Sequence, residues 1–403
     1  MAEQFRHLHN RASRPMDRQL FGTIETRPGK ANVMMCFDED RPDEIMLHWW
    51  GVAGEPTVAA LGRRVSQEGD VSEYQAIRLF SHDERGQVIE PPVDEDTRRL
   101  LRSTRASLKA TRTGLRGTWL DADGPGGKIS LKPLPSNGGI ADIRQCGSWD
   151  EFKRWAGEVR AQGAVAFRGH GSHQFRLETS LYRSGRTRLN RYCAETLPVF
   201  HSHVEAVTNR RINLGDSLDY SMLLGLAQHH GLPTPLLDWT GSPYIAAFFG
   251  FADALENRSS RSRDTRVRVY ALTRAFVERF SPPIVTVPFL EPYMSFLYVS
   301  PRDNPRLYAQ QGRFLVSNVG NIEQFICNIE RHENVRYLMA AEVPAAFASE
   351  ALGDLAFMGV TAATLFPGLD GVCRMLRHAM TFETTSLPTP GKPNDGSESS
   401  DSA

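Results

Sequence analysis

The seven residues Pro133-Leu134-Pro135-Ser136-Asn137-Gly138-Gly139 constrain this chain more than any other feature. Two prolines, two glycines, a serine and an asparagine leave no hydrophobic period for a helix or a strand, so the segment reads as a linker. It separates residues 1–134 from residues 140–385, and each part is long enough to bury a core of its own.

Before the linker the pattern is β-like. The runs 19–26, 32–37, 44–50, 57–65 and 74–81 are short and rich in apolar and β-forming residues, with Gly, Pro or charged breaks between them. Residues 111–119, the turn Asp123-Gly124-Pro125-Gly126-Gly127 and residues 128–134 read as the last turns of a meander. The expectation is a small antiparallel β-barrel or sandwich. Residues 1–17 are polar and read as loose.

Arg98, Arg102, Arg105, Lys109, Arg112 and Arg116 recur every three or four positions, with Asp94 four residues before Arg98. One reading is a basic stripe that contacts nucleic acid. The other is a solvated face on a short helix that turns to strand near Ser107; the serine, threonine and glycines there favour it.

After the linker, helices and strands mix. Ser148-Trp149-Asp150-Glu151 reads as a capping box that opens a helix over 149–160. Residues 164–167 read as a buried strand that presents Arg168 at its end, with Gly169 allowing a sharp exit. Helices are predicted over 190–209, 218–230, 345–352 and 369–378, and another begins at Ser242-Pro243 and runs to about Leu255. Strands are predicted over 267–272, 313–317 and 336–343. The fold class is α+β. After Thr385 the residues are Pro, Gly, Ser and acid, which predicts a disordered tail over 386–403.

Lys plus Arg and Asp plus Glu number 47 each, so global charge gives no warrant for a nucleic-acid partner. No apolar run reaches the ~18 residues of a membrane helix. The five cysteines are scattered and form no CxxC pair. With a first segment that lacks the apolar core of a signal peptide, they predict reduced thiols, a cytoplasmic location and no structural zinc.

The segment from Gln228 to Pro243, Gln-His-His-Gly-Leu-Pro-Thr-Pro-Leu-Leu-Asp-Trp-Thr-Gly-Ser-Pro, mixes turn-formers with apolar and hydrogen-bonding residues. It predicts a loop packed into the core and held in one conformation. With Phe167-Arg168-Gly169 before it, and Gln310-Gln311-Gly312-Arg313-Phe314 and Leu365-Phe366-Pro367-Gly368-Leu369-Asp370-Gly371 after it, the chain resembles the FRG domain family. Four ordered blocks over roughly half of the chain are a more specific signal than a lone short motif. That family is distantly similar to ADP-ribosyltransferases, which bind NAD in the cleft of a split β-sheet. The resemblance implies NAD as a substrate rather than a tightly bound cofactor, or another nucleotide in its place. It also implies transfer of ADP-ribose to a macromolecule, or NAD hydrolysis, in a toxin or antiphage effector of bacterial type.

The candidate catalytic residues are Arg168, His230, Asp238 and Gln311; the candidate nucleotide-binding residues are Arg168, Gly169, Thr234, Trp239 and Thr240. Arg168 carries a planar fork that suits pyrophosphate or ribose, and it equally suits a structural pair with Asp238. Asp238, between Leu237 and Trp239, reads as buried, with Thr234 and Thr240 as hydrogen-bond partners; it either organises the loop or polarises a substrate group or His230. His229 and His230 sit at a helix C-terminus, where the dipole favours their charged forms. Transferases carry a catalytic Glu on the strand that corresponds to the Gln310-Gln311 block; here Glu323 and Glu342 are the available substitutes. The chain has no P-loop, no GxGxxG after a strand, no GxSxG and no HExxH. A non-catalytic ligand- or partner-binding module on the same fold is the alternative.

Overall fold

The computed structural model describes residues 18–84, 87–134, 140, 142–281, 289–300 and 304–386, the last six as backbone only. The expectations of a loose start at 1–17, of most of the linker at 135–139, and of a tail at 386–403 lie outside these residues, save that Ser386 ends the helix Leu369–Ser386.

Strands β1 (Gln19–Glu25), β2 (Lys30–Asp38), β3 (Arg41–Trp50), β4 (Val58–Glu68), β5 (Val71–His82), β6 (Val88–Ile89), β7 (Arg105–Thr111), β8 (Gly114–Asp121) and β9 (Gly124–Lys132) form one antiparallel sheet. Its order is β4-β3-β2-β1-β9-β8-β7-β5-β6, and β4 also pairs with β5. That pairing closes eight strands into a ring, so the unit is a barrel and not a sandwich. The basic run does not share one helix. Arg98 and Arg102 lie on the helix Glu95–Ser103, Arg105 and Lys109 on β7 and Arg116 on β8. The helix gives way to strand at Thr104, earlier than Ser107.

Leu20, Val33, Met35, Ile45, Leu47, Leu108 and Leu131 point into the barrel. The alternate residues Met34, Cys36 and Met46 point outward, yet they are buried too, against Phe80 and Leu290. A strand covered on both faces does not alternate, which accounts for the unbroken apolar run Val33-Met34-Met35-Cys36-Phe37. The barrel is therefore docked. Gln19 Nε2 donates to Asn318 O at 2.7 Å, and Gly320 N donates to Gln19 Oε1 at 2.9 Å. Asp38, fully buried, accepts from the backbone N–H of Thr187 (2.7 Å) and from Arg188 Nε (3.2 Å) and Arg191 Nη1 (3.0 Å).

The second sheet contains β10 (Ile143–Gln145), β11 (Ala164–His170), β12 (Leu236–Thr240), β13 (Arg266–Thr273), β14 (Met294–Leu297), β15 (Gly312–Ser317) and β16 (Leu338–Pro344), in the order β10-β16-β13-β11-β12-β15-β14. Only β10 and β16 run parallel. The helix Trp149–Ala161 starts at Ser148, whose side chain accepts from Glu151 N. Glu151 does not complete the box at Ser148; its carboxylate reaches Gly147 N, 2.6 Å away.

Two apolar clusters share one face of this sheet. Over one end, the helices Trp149–Ala161, Pro243–Glu256 and Ala348–Phe357 pack on Phe167, Val269 and Val343. Over the other end, Leu223 and Leu224 of the helix Ser217–His229 pack on Leu236, Phe314 and Val316. The opposite face carries Tyr270, Leu272, Leu315 and Ala340 under the helix Ile322–Glu333.

Candidate active site

The residues expected to form a packed loop include the strand β12. Five consecutive pairs, Leu236↔Val316 to Thr240↔Gly312, join it to β15. The alternation Leu237-Asp238-Trp239 is what a strand requires, with Leu237 and Trp239 turned to the core and Asp238 turned the other way. The side chain of Asp238 is 55% exposed, which corrects the expectation of a buried carboxylate.

On its other side β12 meets β11 at a single pair, Phe167↔Thr240, whereas β11 and β13 share six. The two strands part beyond that pair. There a cleft of about 350 Å³ opens between the two helix-covered ends of the sheet. Its walls include Arg168, Gln228, His229, Asp238, Thr240, Phe249, Arg306, Gln310, Arg313 and Phe366.

Arg168 lies inside β11 and not at its end, because β11 continues to His170. Its guanidinium fills the notch between the parted strands. Nη1 donates to Asp238 O at 2.5 Å and stands 3.9 Å from Asp238 Oδ2, while Nε donates to His170 Nε2 at 3.0 Å. The first of these bonds stands in for the missing backbone ladder. Burial lowers Arg168 below the usual arginine value, and the charge of Asp238 opposes that. His170 is held well below the usual histidine value, first by burial and then by the Arg168 charge, so it accepts as a neutral ring.

Gly169 makes no exit. A Cβ there would stand 1.8 Å from Ala246 O, so glycine is what lets the helix Pro243–Glu256 lie against β11. Thr234 is fully buried behind the cleft and does not line it. Its N–H donates to Ser180 Oγ at 3.0 Å and its hydroxyl donates to Gln228 Oε1. Gln228 Nε2 in turn donates to Asp238 Oδ2 at 2.8 Å, so Thr234 orients Gln228 and Gln228 orients the carboxylate. Thr240 Oγ1 donates to Gln310 O at 2.7 Å. Trp239 forms part of the wall but is 3% exposed, with its indole in the core.

His230 caps the helix Ser217–His229 and is exposed; it is absent from the cleft wall, where its neighbour His229 stands. The rings of the two are edge to face, with centroids 5.0 Å apart. His229 does not gain charge from the helix end. Burial and the Arg306 charge lower its pKa, and His230 adds to this.

The Gln310-Gln311 pair does not begin β15. Both residues close the short helix Pro305–Ala309, and Gln311 holds a left-handed φ of 48°, as the residue after a helix C-cap commonly does. Gln311 is thereby turned off the cleft, and Gln310 lines it, with its amide donating to Leu365 O at 3.0 Å. Glu323 and Glu342 do not line it either. Glu342 is tied to Arg268 (2.5 Å) and to Gln145 (2.9 Å); burial raises its pKa, but those bonds outweigh burial and hold it low. Glu323 accepts from Tyr270 OH at 3.1 Å and is raised by burial. Among the described residues Asp238 is the one carboxylate in the cleft wall.

Arg306, Arg313, Phe249 and Phe366 also line the cleft, and none of them is among the residues expected there. Arg313 and Phe366 lie within two of the quoted blocks, which was a usable signal; Arg306 lies on a five-residue helix that no periodicity announces. Arg306 stands over the Phe366 ring at 5.7 Å, and Phe249 meets Phe366 edge to face at 5.9 Å. Neither Arg306 nor Arg313 has an ion-pair partner among the described residues.

Residues 163–259 match the family model of the FRG domain. No curated protein and no solved structure matches the chain. The matched span holds β11, β12 and the helix Pro243–Glu256, hence Arg168, Gln228 and Asp238, which meet at the parted strands. The chain therefore contains an FRG domain.

Proposed function

We propose that the cleft between β11 and β12 binds a nucleotide, NAD foremost, and that the domain is an ADP-ribosyltransferase-like enzyme. The observation that carries this reading is the charge balance of the wall: Arg168, Arg306 and Arg313 line it, Asp238 is its one carboxylate among the described residues, and neither Arg306 nor Arg313 has an ion-pair partner among those residues. Unpaired arginines beside half-buried aromatic rings suit a pyrophosphate and a stacked base. The cleft volume of about 350 Å³ falls in the range of small-molecule sites.

In the reaction, the bond from ribose C1′ to the nicotinamide nitrogen breaks and its electron pair leaves with nicotinamide. C1′ then bonds to a nucleophilic atom of a macromolecule, or to water, and that nucleophile loses a proton. Asp238, held by Gln228 with its Oδ1 free of protein hydrogen bonds among the described residues, is placed to face the positive charge that develops on the ribose. It takes the part that Glu plays in the resembled enzymes, but from a central strand.

That displacement favours a second reading, a binding module that uses the cleft for recognition alone. Incubation with labelled NAD and cell lysate separates the two. The enzyme reading requires nicotinamide release or label transfer that falls at least tenfold in Asp238→Asn, at unchanged melting temperature. NAD binding without either product assigns the module.

A further inference from the structure

The barrel lumen is filled at one end only. Leu20, Val33, Leu108 and Leu131, each at most 2% exposed, pack its filled end. Elsewhere the wall includes the small residues Ala60, Gly62, Ala76 and Ala106 on β4, β5 and β7 beside Ile45, Tyr74 and Leu79, and a partly open cavity of about 180 Å³ remains. Close-packed interiors leave few such spaces. An apolar wall does not hold water, which needs two to four polar partners.

The charged groups at the rim are already spoken for. Asp121 accepts from Arg27 Nη1 at 2.9 Å, and Arg105 Nε donates to Gln75 Oε1 at 3.1 Å. Nothing there calls for a ligand charge. Leu47 and Ile129 line the interior, and the half-buried indoles of Trp49 and Trp119 stand at the edge. The helix Glu95–Ser103 lies across the cavity and contributes Leu100 to its wall, yet none of the helix residues is buried. It is tied down mainly at its C-terminal end, where Gln75 Nε2 donates to Leu101 O and to Thr104 O (3.2 Å), and Ala76 N donates to Thr104 O (3.0 Å). The helix thus forms part of the cavity's cover.

We propose that the barrel lumen is a binding site for one small, flat, uncharged apolar molecule of one or two fused rings, admitted between the indoles and the Glu95–Ser103 helix. An apolar cavity of ~150 Å³ takes up benzene in other proteins, so the volume fits the class. The proposal stands apart from the nucleotide reading, because the lumen and the cleft share no wall residue.

Naphthalene is the probe, titrated into the full chain by calorimetry and by quenching of tryptophan fluorescence. The expected result is saturable 1:1 binding that is unaffected by Arg313→Gln in the cleft. Ala60→Phe, which fills the lumen, should weaken it at least tenfold. Leu100→Ala, at a 40% exposed position that the fold tolerates, should weaken it several-fold even if Ala60→Phe fails to fold. No saturation up to the solubility limit would overturn the proposal. So would native affinity in Leu100→Ala together with either native affinity or failure to fold in Ala60→Phe, and so would loss of binding in Arg313→Gln.

Discussion

Replacing Arg168 by lysine keeps a positive charge but removes the planar fork. The native guanidinium makes two directed bonds, to Asp238 O at 2.5 Å and to His170 Nε2 at 3.0 Å, and a lysine ammonium can reach one acceptor at a time. A hydrogen bond to a charged group contributes about 1.5–3 kcal/mol net, and the abandoned acceptor is buried, so the loss should be on the order of 2–3 kcal/mol. For a unit of this size that corresponds to a fall in melting temperature of roughly 4–12 °C. Since Nη1 and Nε are committed within the protein, nucleotide affinity should fall by less than about tenfold, or ~1.4 kcal/mol. Thermal denaturation and calorimetric titration of both proteins measure the two quantities. An unchanged melting temperature with affinity lost by a hundredfold would refute the argument that Arg168 chiefly bridges the parted strands.

Three further outcomes follow from single contacts. Gly169→Ala places a methyl group 1.8 Å from Ala246 O, and should cost on the order of 3 kcal/mol or more in urea unfolding; a native midpoint would mean that the helix can retreat at no cost. Glu342→Gln takes from Arg268 its nearest carboxylate, leaving Glu323 at 3.9 Å, and should cost about 1–3 kcal/mol while leaving any nucleotide affinity intact; lost affinity at native stability would return Glu342 to the site. His48, where the barrel packs on Leu290, is pushed by burial from 6.5 to about 4. Its unfolded form binds the proton more readily, so stability should be full above pH 6.5 and decline as pH falls toward 4. His48→Phe should flatten thermal melts across that window, and an unaltered pH slope would count against the reading.

The barrel strands were legible because each apolar run is short and bounded by turn residues, and β2 was legible in spite of being buried on both faces. What the sequence could not give was the docking of that outer face, since Met34, Cys36 and Met46 look like ordinary core until Leu290 is set against them. In the second unit, Leu236-Leu237-Asp238-Trp239-Thr240 was hidden by its surroundings: Pro233 and Pro235 before it and Gly241-Ser242-Pro243 after it read as loop. The period-2 pattern that marks the strand is only five residues long. Asp238 looked buried because its sequence neighbours are, although in a strand neighbours point to opposite faces. Gly169 was recognised as special for the wrong reason, since a glycine required by a nearby helix and one required by a turn look alike in sequence. His230 and Gln311 missed the cleft by one position each. Helix and turn phase decide which member of His229-His230 or Gln310-Gln311 faces inward, and the blocks do not encode that phase.

The central claim is that the cleft at the parted strands takes NAD through its unpaired arginines. Titration calorimetry of NAD into the native protein and into Arg306→Gln and Arg313→Gln tests it most directly. Neither arginine has an ion-pair partner among the described residues, so both variants should melt close to the native protein, Arg306→Gln losing only the contact over the Phe366 ring, while each should bind NAD more weakly by about 1–2 kcal/mol, roughly five- to thirtyfold. No binding of NAD by the native protein at millimolar concentration, or native affinity in both variants, would contradict the account.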